Sequence, residues 1–157
     1  MLKYVIFTFT LLVTCCEGKL PDIGPQDVTK KANEIMKAHA SHKALTPALT
    51  QRILNNYLEN LDYNKTYFIE SDIEEWLSPS PVALQKIIDD YNNQKFDTFE
   101  QIQATFIKVI ERRRLLEKKI DYQNLPTHVR AEEFKEMPWV KTEEELINRL
   151  RRIRSLQ

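Results

Sequence analysis

Residues 46–61, TPALTQRILNNYLENL, decide the fold class of this chain. Thr46 followed by Pro47 is typical of a helix N-terminus, because a threonine oxygen accepts hydrogen bonds from free backbone N–H groups and proline fits the first helical turn. Six apolar residues then recur at steps of three and four, which places them on one face of a helix. These residues are Leu49, Ile53, Leu54, Tyr57, Leu58 and Leu61. The segment therefore predicts a helix with one buried face.

Similar start signals recur along the rest of the chain. Asp27 is expected to cap a helix that reaches about His42. Ser71 and Glu74 match a capping box, which predicts a short helix ending at Leu77. Three further helix starts are predicted at Ser80 with Pro81, at Thr98 with Gln101, and at Thr142 with Glu145.

We find no convincing alternation of apolar and polar residues that would predict a strand, and no repeat of fixed period. The sequence therefore predicts an all-α fold, a single helical domain of about five to six helices over residues 27–157. The side chains expected to face its core from the later helices are Leu84, Ile87, Ile88, Tyr91, Phe99, Ile102, Phe106, Val109, Ile110, Arg113, Leu116, Ile120, Leu146, Ile147, Leu150 and Ile153.

Composition narrows the possible functions. The 157 residues include 23 Lys plus Arg and 23 Asp plus Glu, so the formal net charge is zero. This balance argues against a protein that coats nucleic acid or anionic lipid, and no nucleic-acid partner is expected. Gly18 and Gly24 are the two glycines of the sequence. Phosphate-binding glycine loops and nucleophile elbows need glycine where the backbone turns sharply or approaches a ligand closely. Neither motif is therefore expected in the part of the chain that follows Gly24.

The N-terminus has the pattern of a cleavable secretory signal peptide, predicted over residues 1–18. A lysine at position 3 precedes an apolar run at residues 4–14, which is too short to span a bilayer comfortably. Cleavage after Gly18 would remove both cysteines and leave a lead-in at residues 19–26. A retained membrane anchor and lipidation of Cys15 are the alternatives. We expect a periplasmic or secreted protein without a stable membrane span after signal cleavage.

Three short patterns in the sequence resemble metal-binding or modification sites. His39 and His42 have a spacing that metal sites use, but no cysteine or well-spaced carboxylate completes a ligand set. The segment that starts at Asp62 resembles the beginning of a calcium loop, but it lacks the glycine and glutamate that an EF-hand requires. Asn64 also lies in a glycosylation sequon, a pattern that often occurs by chance.

No catalytic constellation is recognised in the chain. The serines lie at predicted helix ends or in the proline-rich break and none lies in a glycine turn, so no nucleophile with an oxyanion hole is recognised. The arginines at 112–114 and in the last helix are balanced by nearby glutamates, and we expect them on solvated faces and in ion pairs. The prediction is therefore that the chain has no catalytic, cofactor-binding or metal-binding residues and needs no cofactor.

Two stretches of the sequence resemble a known family. Residues 58–68, LENLDYNKTYF, followed by residues 71–73, SDI, are similar to the "YLxxLDxxKxYF…xDI" run of bacterial tail-specific proteases, the Prc/Tsp-type carboxy-terminal processing peptidases. Residues 137–141, MPWVK, with residues 144–146, EEL, resemble their later "PWPKxxxEL" segment. The resemblance covers nearly all of the chain after the predicted signal peptide.

The resemblance implies a helical N-terminal domain that precedes a PDZ domain and a protease core with a Ser/Lys catalytic pair. No residue of this chain matches the catalytic Ser or Lys, so no catalytic role carries over. The implied partner is the remainder of the protease, with a homo-oligomer or an adaptor protein as further possibilities. The implied role is to brace or gate the downstream modules or to mediate such contacts. A free-standing periplasmic binding or chaperone-like protein is the alternative function.

The residues of these motifs also have a physical interpretation. Asp62 and its neighbours are expected to form a turn between two helices, Tyr67 and Phe68 to lie in the core, and Trp139 to anchor the loop after Pro138. The last helix runs to the end of the sequence without a stop signal, as in a truncated chain. We therefore expect an exposed apolar stripe there, formed by Leu146, Leu150 and Ile153, through which the chain self-associates.

Overall fold

The computed structural model describes residues 22–41 and 43–156. The predicted signal peptide, the start of the lead-in, His42 and Gln157 lie outside the described residues. The described helices are α1 (Pro25–Ala38), α2 (Pro47–Leu61), α3 (Glu70–Leu77), α4 (Pro81–Asn92), α5 (Asp97–Glu117) and α6 (Glu143–Arg154), with a short 3-10 turn at Ala131–Phe134. Within the described ranges there is no strand, and extended pairing is limited to an isolated bridge. The predicted all-α fold is confirmed.

Three predicted helix starts are confirmed by their hydrogen bonds. The hydroxyl of Thr46 accepts from the backbone N–H of Leu49 at 3.2 Å, at the start of α2. Ser80 and Thr142 do the same for α4 and α6. At these sites the capping residue precedes the helix directly, so local sequence was sufficient to place the start.

The other three starts differ from the predictions. Asp27 is not the cap of α1: the helix begins at Pro25, and the Asp27 carboxylate accepts from the backbone N–H of Gly24 at 3.0 Å. In α3 it is Asp72, not the predicted Ser71 and Glu74, that bonds back to the start of the helix. Helix α5 begins at Asp97 without a side-chain cap. In all three helices the residues that precede the predicted cap are already helical.

Helices α2 to α5 enclose the larger of the two apolar clusters that the described residues form. Leu54, Leu58, Phe68, Ile73 and Ile102 are fully buried at its centre. Aromatic rings extend the cluster along α5, and those of Phe68 and Phe106 lie 5.4 Å apart. Most predicted core positions of α2, α4 and the first part of α5 converge on this region, and the prediction that Phe68 is a core aromatic is confirmed. Ile53 is an exception: it was predicted on the buried face of α2 but is 37% exposed.

The smaller cluster joins the end of α5 to α6 and is composed of Leu116, Ile120, Val140, Leu146 and Leu150. Leu146 is 0% exposed and Leu150 is 5% exposed. Because Ile153 is also half-buried, the expected exposed stripe on the last helix is wrong, and it gives no argument for self-association. The apolar face of α6 packs on α5 within the same domain.

Among the residues that the structure describes, four other than glycine adopt left-handed backbone conformations, at φ angles between 52° and 62°. They are Lys65, Gln94, His128 and Glu136. Such a conformation costs about 1–2 kcal/mol for a residue with a Cβ atom. The scarcity of glycine therefore did not prevent sharp turns. At two of these positions a backbone bond closes the turn: the N–H of Lys65 donates to the carbonyl of Asp62, and that of Gln94 to the carbonyl of Tyr91.

Truncation of the buried leucine on α6 tests this packing. We expect Leu146→Ala to lower the free energy of unfolding by about 2–5 kcal/mol, because it opens a cavity between α5 and α6. Leu115→Ala is a matched control, since Leu115 is 49% exposed, and should change stability by less than about 1 kcal/mol. Urea unfolding followed by circular dichroism measures both; equal effects would contradict the assigned burial.

Candidate functional site

The carboxylate of Asp62 organises the loop between α2 and α3. Its Oδ1 accepts from the backbone N–H of Thr66 at 2.7 Å. Its Oδ2 accepts from the N–H groups of Tyr67 and Phe68 at 3.1 and 3.0 Å. Asp62 is only 2% exposed, so these bonds satisfy backbone donors that are shielded from water. The turn predicted at Asp62 is confirmed, and its carboxylate closes the turn.

Trp139 connects this loop to the segment that precedes α6. The indole Nε1–H donates to Oδ2 of Asp62 at 3.2 Å, across 77 positions of sequence. The ammonium group of Lys65 lies 4.2 Å from the centre of the Trp139 ring, within the range of a cation–π contact. The prediction that Trp139 anchors the loop after Pro138 is confirmed, and Asp62 is the residue that receives it.

Arg149 of α6 binds both the α2–α3 loop and the segment that precedes α6. Its guanidinium donates to the backbone carbonyl of Lys65 at 2.7 Å and to that of Pro138 at 2.9 Å. Burial lowers the pKa of Arg149, and the nearby charges of Asp62 and Glu145 act in the opposite direction. Because Arg149 is only 6% exposed, the expectation that it is solvated is wrong.

The arginines at 112–114 form the expected ion pairs, with Asp72, Glu117 and Glu111 in that order, but only Arg114 lies on an exposed face, since Arg112 and Arg113 are half-buried. Arg112 contacts both carboxylate oxygens of Asp72, at 3.0 and 2.6 Å, and donates to the carbonyl of Tyr67 at 2.9 Å. Arg113 donates to the hydroxyl of Thr66 at 2.8 Å and lies 4.3 Å from the centre of the Tyr67 ring. Both side chains fix the α2–α3 loop to α5.

We call the following six residues the polar junction: Asp62, Asp72, Arg112, Arg113, Trp139 and Arg149. A backbone contact lies beside them. Ile69 and Val140 form a parallel bridge, and the N–H of Glu70 donates to the carbonyl of Val140 at 2.8 Å. In this junction the carboxylate of Asp62 accepts from four N–H donors, and the Asp72 carboxylate is bound by Arg112 and a backbone N–H. Such groups position segments of the chain and are poorly placed to exchange protons with a substrate.

The other residues considered in the sequence lie elsewhere. His39 is exposed, and its Nδ1 accepts from the backbone N–H of Ser41 at 3.1 Å. The hydroxyls of Ser80 and Ser155 bond to backbone atoms of their own helices. Asn64 is exposed. Over residues 22–41 and 43–156 no three His, Cys, Asp or Glu side chains are grouped as metal ligands would be.

A search for a membrane-spanning helix was also negative. Among the helices of the described part of the chain, none is both long enough and apolar enough to cross a bilayer.

The two stretches quoted from the sequence thus meet in one junction within a helical domain. The fold and the junction together define a helical domain in which long-range polar contacts fix the loops that join the helices. A family model described as the tail specific protease N-terminal domain matches residues 31–156. The chain belongs to this family, which is a non-catalytic domain of tail-specific proteases. A search of curated proteins found no match to the chain.

Sequence reasoning identified the loops of the junction but missed the role of Arg149. A signal was available in the helical pattern, since Arg149 lies between Leu146 and Leu150, three residues after the first and one before the second, on the predicted buried face. At such a position a charged residue is tolerated only when buried acceptors bind its donors. Its partners are carbonyl groups from two distant loops, which no local pattern predicts.

Replacing the central carboxylate tests the junction. We expect Asp62→Asn to destabilise the chain by about 2–3 kcal/mol, because an amide presents one acceptor oxygen where two carboxylate oxygens now serve four donors. The indole N–H resonance of Trp139 should shift at the same time. Asp89→Asn, at an exposed position of α4, is the control and should change stability by at most about 0.5 kcal/mol. An Asp62→Asn protein as stable as this control would show that the junction contributes little.

Proposed function

We propose that this chain is the bracing domain of a periplasmic or secreted serine-type tail-specific protease. It carries no catalytic residues itself and positions the modules that bind and cleave the C-terminal ends of substrates. The observation that supports this role is the fixed attachment of α6. Leu146, Arg149 and Leu150 are all buried, so this helix is attached to the domain by apolar packing and by hydrogen bonds.

A bracing domain sets the orientation of the modules attached to it, so its terminal helix must be held rigidly against the rest of the domain. Arg149 ties α6 to the carbonyl of Lys65 in the α2–α3 loop, and Arg112 ties the same loop to α5. Any module attached beyond α6 would therefore start from a helix whose direction is set by the rest of the domain. This favours a bracing role over a hinged gate.

The remaining parts of the proposal follow from the family and the N-terminal pattern. Tail-specific proteases are generally periplasmic, and residues 1–18 have the pattern of a cleavable signal peptide. The proposed partners are a PDZ domain and a catalytic core with a Ser/Lys pair, and a homo-oligomer or an adaptor protein is a further candidate partner.

The size of the native product tests this proposal directly. An antibody raised against residues 27–157 should detect a band several times larger than 18.6 kDa, the mass of this chain, in cells that express the gene. A single band slightly below 18.6 kDa would contradict the proposal. It would favour a free-standing helical binding or chaperone-like protein instead.

The bracing role has its own test in the larger protease. We expect Arg149→Met to reduce cleavage of a protein substrate several-fold, because α6 loses its bonds to two loops, while active-site titration still counts the same number of catalytic centres. Arg114→Met is the matched control, since Arg114 is exposed and pairs with Glu111 on the surface of α5. If both variants cleave the substrate like the unmodified protease, α6 does not act as a brace.

A further inference from the structure

Helix α1 lies outside both apolar clusters of the domain. Among the residues that the structure describes, the buried and half-buried side chains that form these clusters all come from later parts of the chain. Thr29 is the one buried residue of α1, and its hydroxyl donates to the carbonyl of Pro25 in the same helix at 3.0 Å. Both clusters are therefore complete without α1.

The polar attachment of α1 to the later helices depends on one hydroxyl group. Within residues 22–41 and 43–156, the hydrogen bonds that join α1 to α2–α6 come from Tyr91 of α4, whose hydroxyl lies 2.9 Å from the side-chain oxygen of Asn33 and 3.4 Å from the carbonyl of Thr29. A phenol has a single O–H to donate. Helix α6, by contrast, is held by apolar packing and by two bonds from Arg149.

The contact between α1 and the rest of the domain is also incompletely packed. A groove of about 300 Å³, open to solvent, lies between α1, α2, α4 and the start of α5, and its walls expose no polar atom. Val28 and Ile35 of α1 line this groove and are 44% and 60% exposed. Side chains that lack close neighbours on one side contribute less dispersion energy than those of a filled core. The apolar attachment of α1 is therefore weak as well.

Thr50 of α2 opposes the closure of α1. It lines the same groove and is only 2% exposed, and its hydroxyl is inaccessible to solvent and has no hydrogen-bond partner among the described residues. A buried hydroxyl without a partner destabilises the state that buries it, because its bonds to water are lost and not replaced. Movement of α1 away from α2 would let water reach this group.

We propose that α1 is a lid that opens as one unit while α2–α6 stay folded. The bond from the Tyr91 hydroxyl favours the closed lid and the buried hydroxyl of Thr50 favours the open one, so the two groups set how often α1 opens. Elements that are held this unequally open at different free energies in the native state. Opening exposes the apolar groove wall formed by α2, α4 and the start of α5. The polar junction lies on other segments and stays closed.

Native-state hydrogen exchange on the purified, unmodified chain tests the lid. The amides of residues 33–36 in α1 should share one degree of protection, about 100-fold or more below that of the Leu54 and Leu58 amides in the main core. Low concentrations of urea should accelerate exchange in the core much more than in α1, because opening of the lid exposes little surface. Equal acceleration in both would overturn the proposal. Protection that falls steadily towards one end of α1 would show fraying and would also overturn it.

Two variants should shift the opening in opposite directions. Tyr91→Phe removes the donor and should lower the protection of the α1 amides roughly two- to tenfold. Thr50→Val keeps the shape of the side chain but removes the unpartnered hydroxyl, so it should raise this protection about fivefold or more. Thr105→Val is the matched control, because Thr105 is half-buried on α5 and does not line the groove, and it should leave the protection unchanged. Shifts of the same sign in Tyr91→Phe and Thr50→Val would contradict the assigned balance.

A third variant separates the lid from unfolding of the whole domain. Leu146→Ala should lower the protection of the Leu54 and Leu58 amides about 30-fold or more and leave that of the α1 amides unchanged. The indole resonance of Trp139 should stay in place in Tyr91→Phe, since the polar junction does not take part in the opening. An equal loss of protection in α1 and the core of Leu146→Ala would overturn the proposal. If this variant does not fold, the urea series on the unmodified chain decides the same question.

Discussion

The bonds of the Asp62 carboxylate are the interaction on which the rest of this domain depends. The loop after α2 has to turn back into the core, and this brings three consecutive backbone N–H groups, from residues 66–68, into a region with little access to water. One buried carboxylate satisfies all three and also the indole of Trp139. The same group therefore shapes the α2–α3 loop and places the segment that leads into α6.

Arginine side chains of α5 and α6 bind the α2–α3 loop as well. The planar guanidinium of Arg149 reaches two carbonyl groups from different loops, and that of Arg112 reaches a carboxylate and a carbonyl. A lysine has a compact charge and lacks this fork of donors, so it would not join two segments in the same way. These contacts join the apolar cluster of α2–α5 to the smaller cluster between α5 and α6.

Helix α1 contrasts with this firmly held body. It contributes Thr29 as its single buried residue and is bonded to α4 through the hydroxyl of Tyr91, whose pKa is raised by burial. The family match begins at residue 31, within this helix. The polar bonds of the domain are thus distributed unevenly: the region around Asp62 is densely bonded, whereas α1 buries one residue and exposes Val28 and Ile35.

The sequence by itself determined the helical class, the starts of α2, α4 and α6, and most residues of the main core, although it missed Ile73 and Trp76 of α3 and wrongly included Ile53. These features are set by local spacing and by capping groups that lie next to the helix they begin. It did not determine the start of α5, the left-handed turn at Lys65 or the burial of α6. The tertiary structure decided the turn at Lys65 and the burial of α6, because Arg149 binds the carbonyl of Lys65 from 84 positions away and α6 packs on Leu116 of α5. The charge of Arg149 is the clearest case: its position predicts burial, its chemistry predicts solvent, and two distant carbonyl groups make the burial possible.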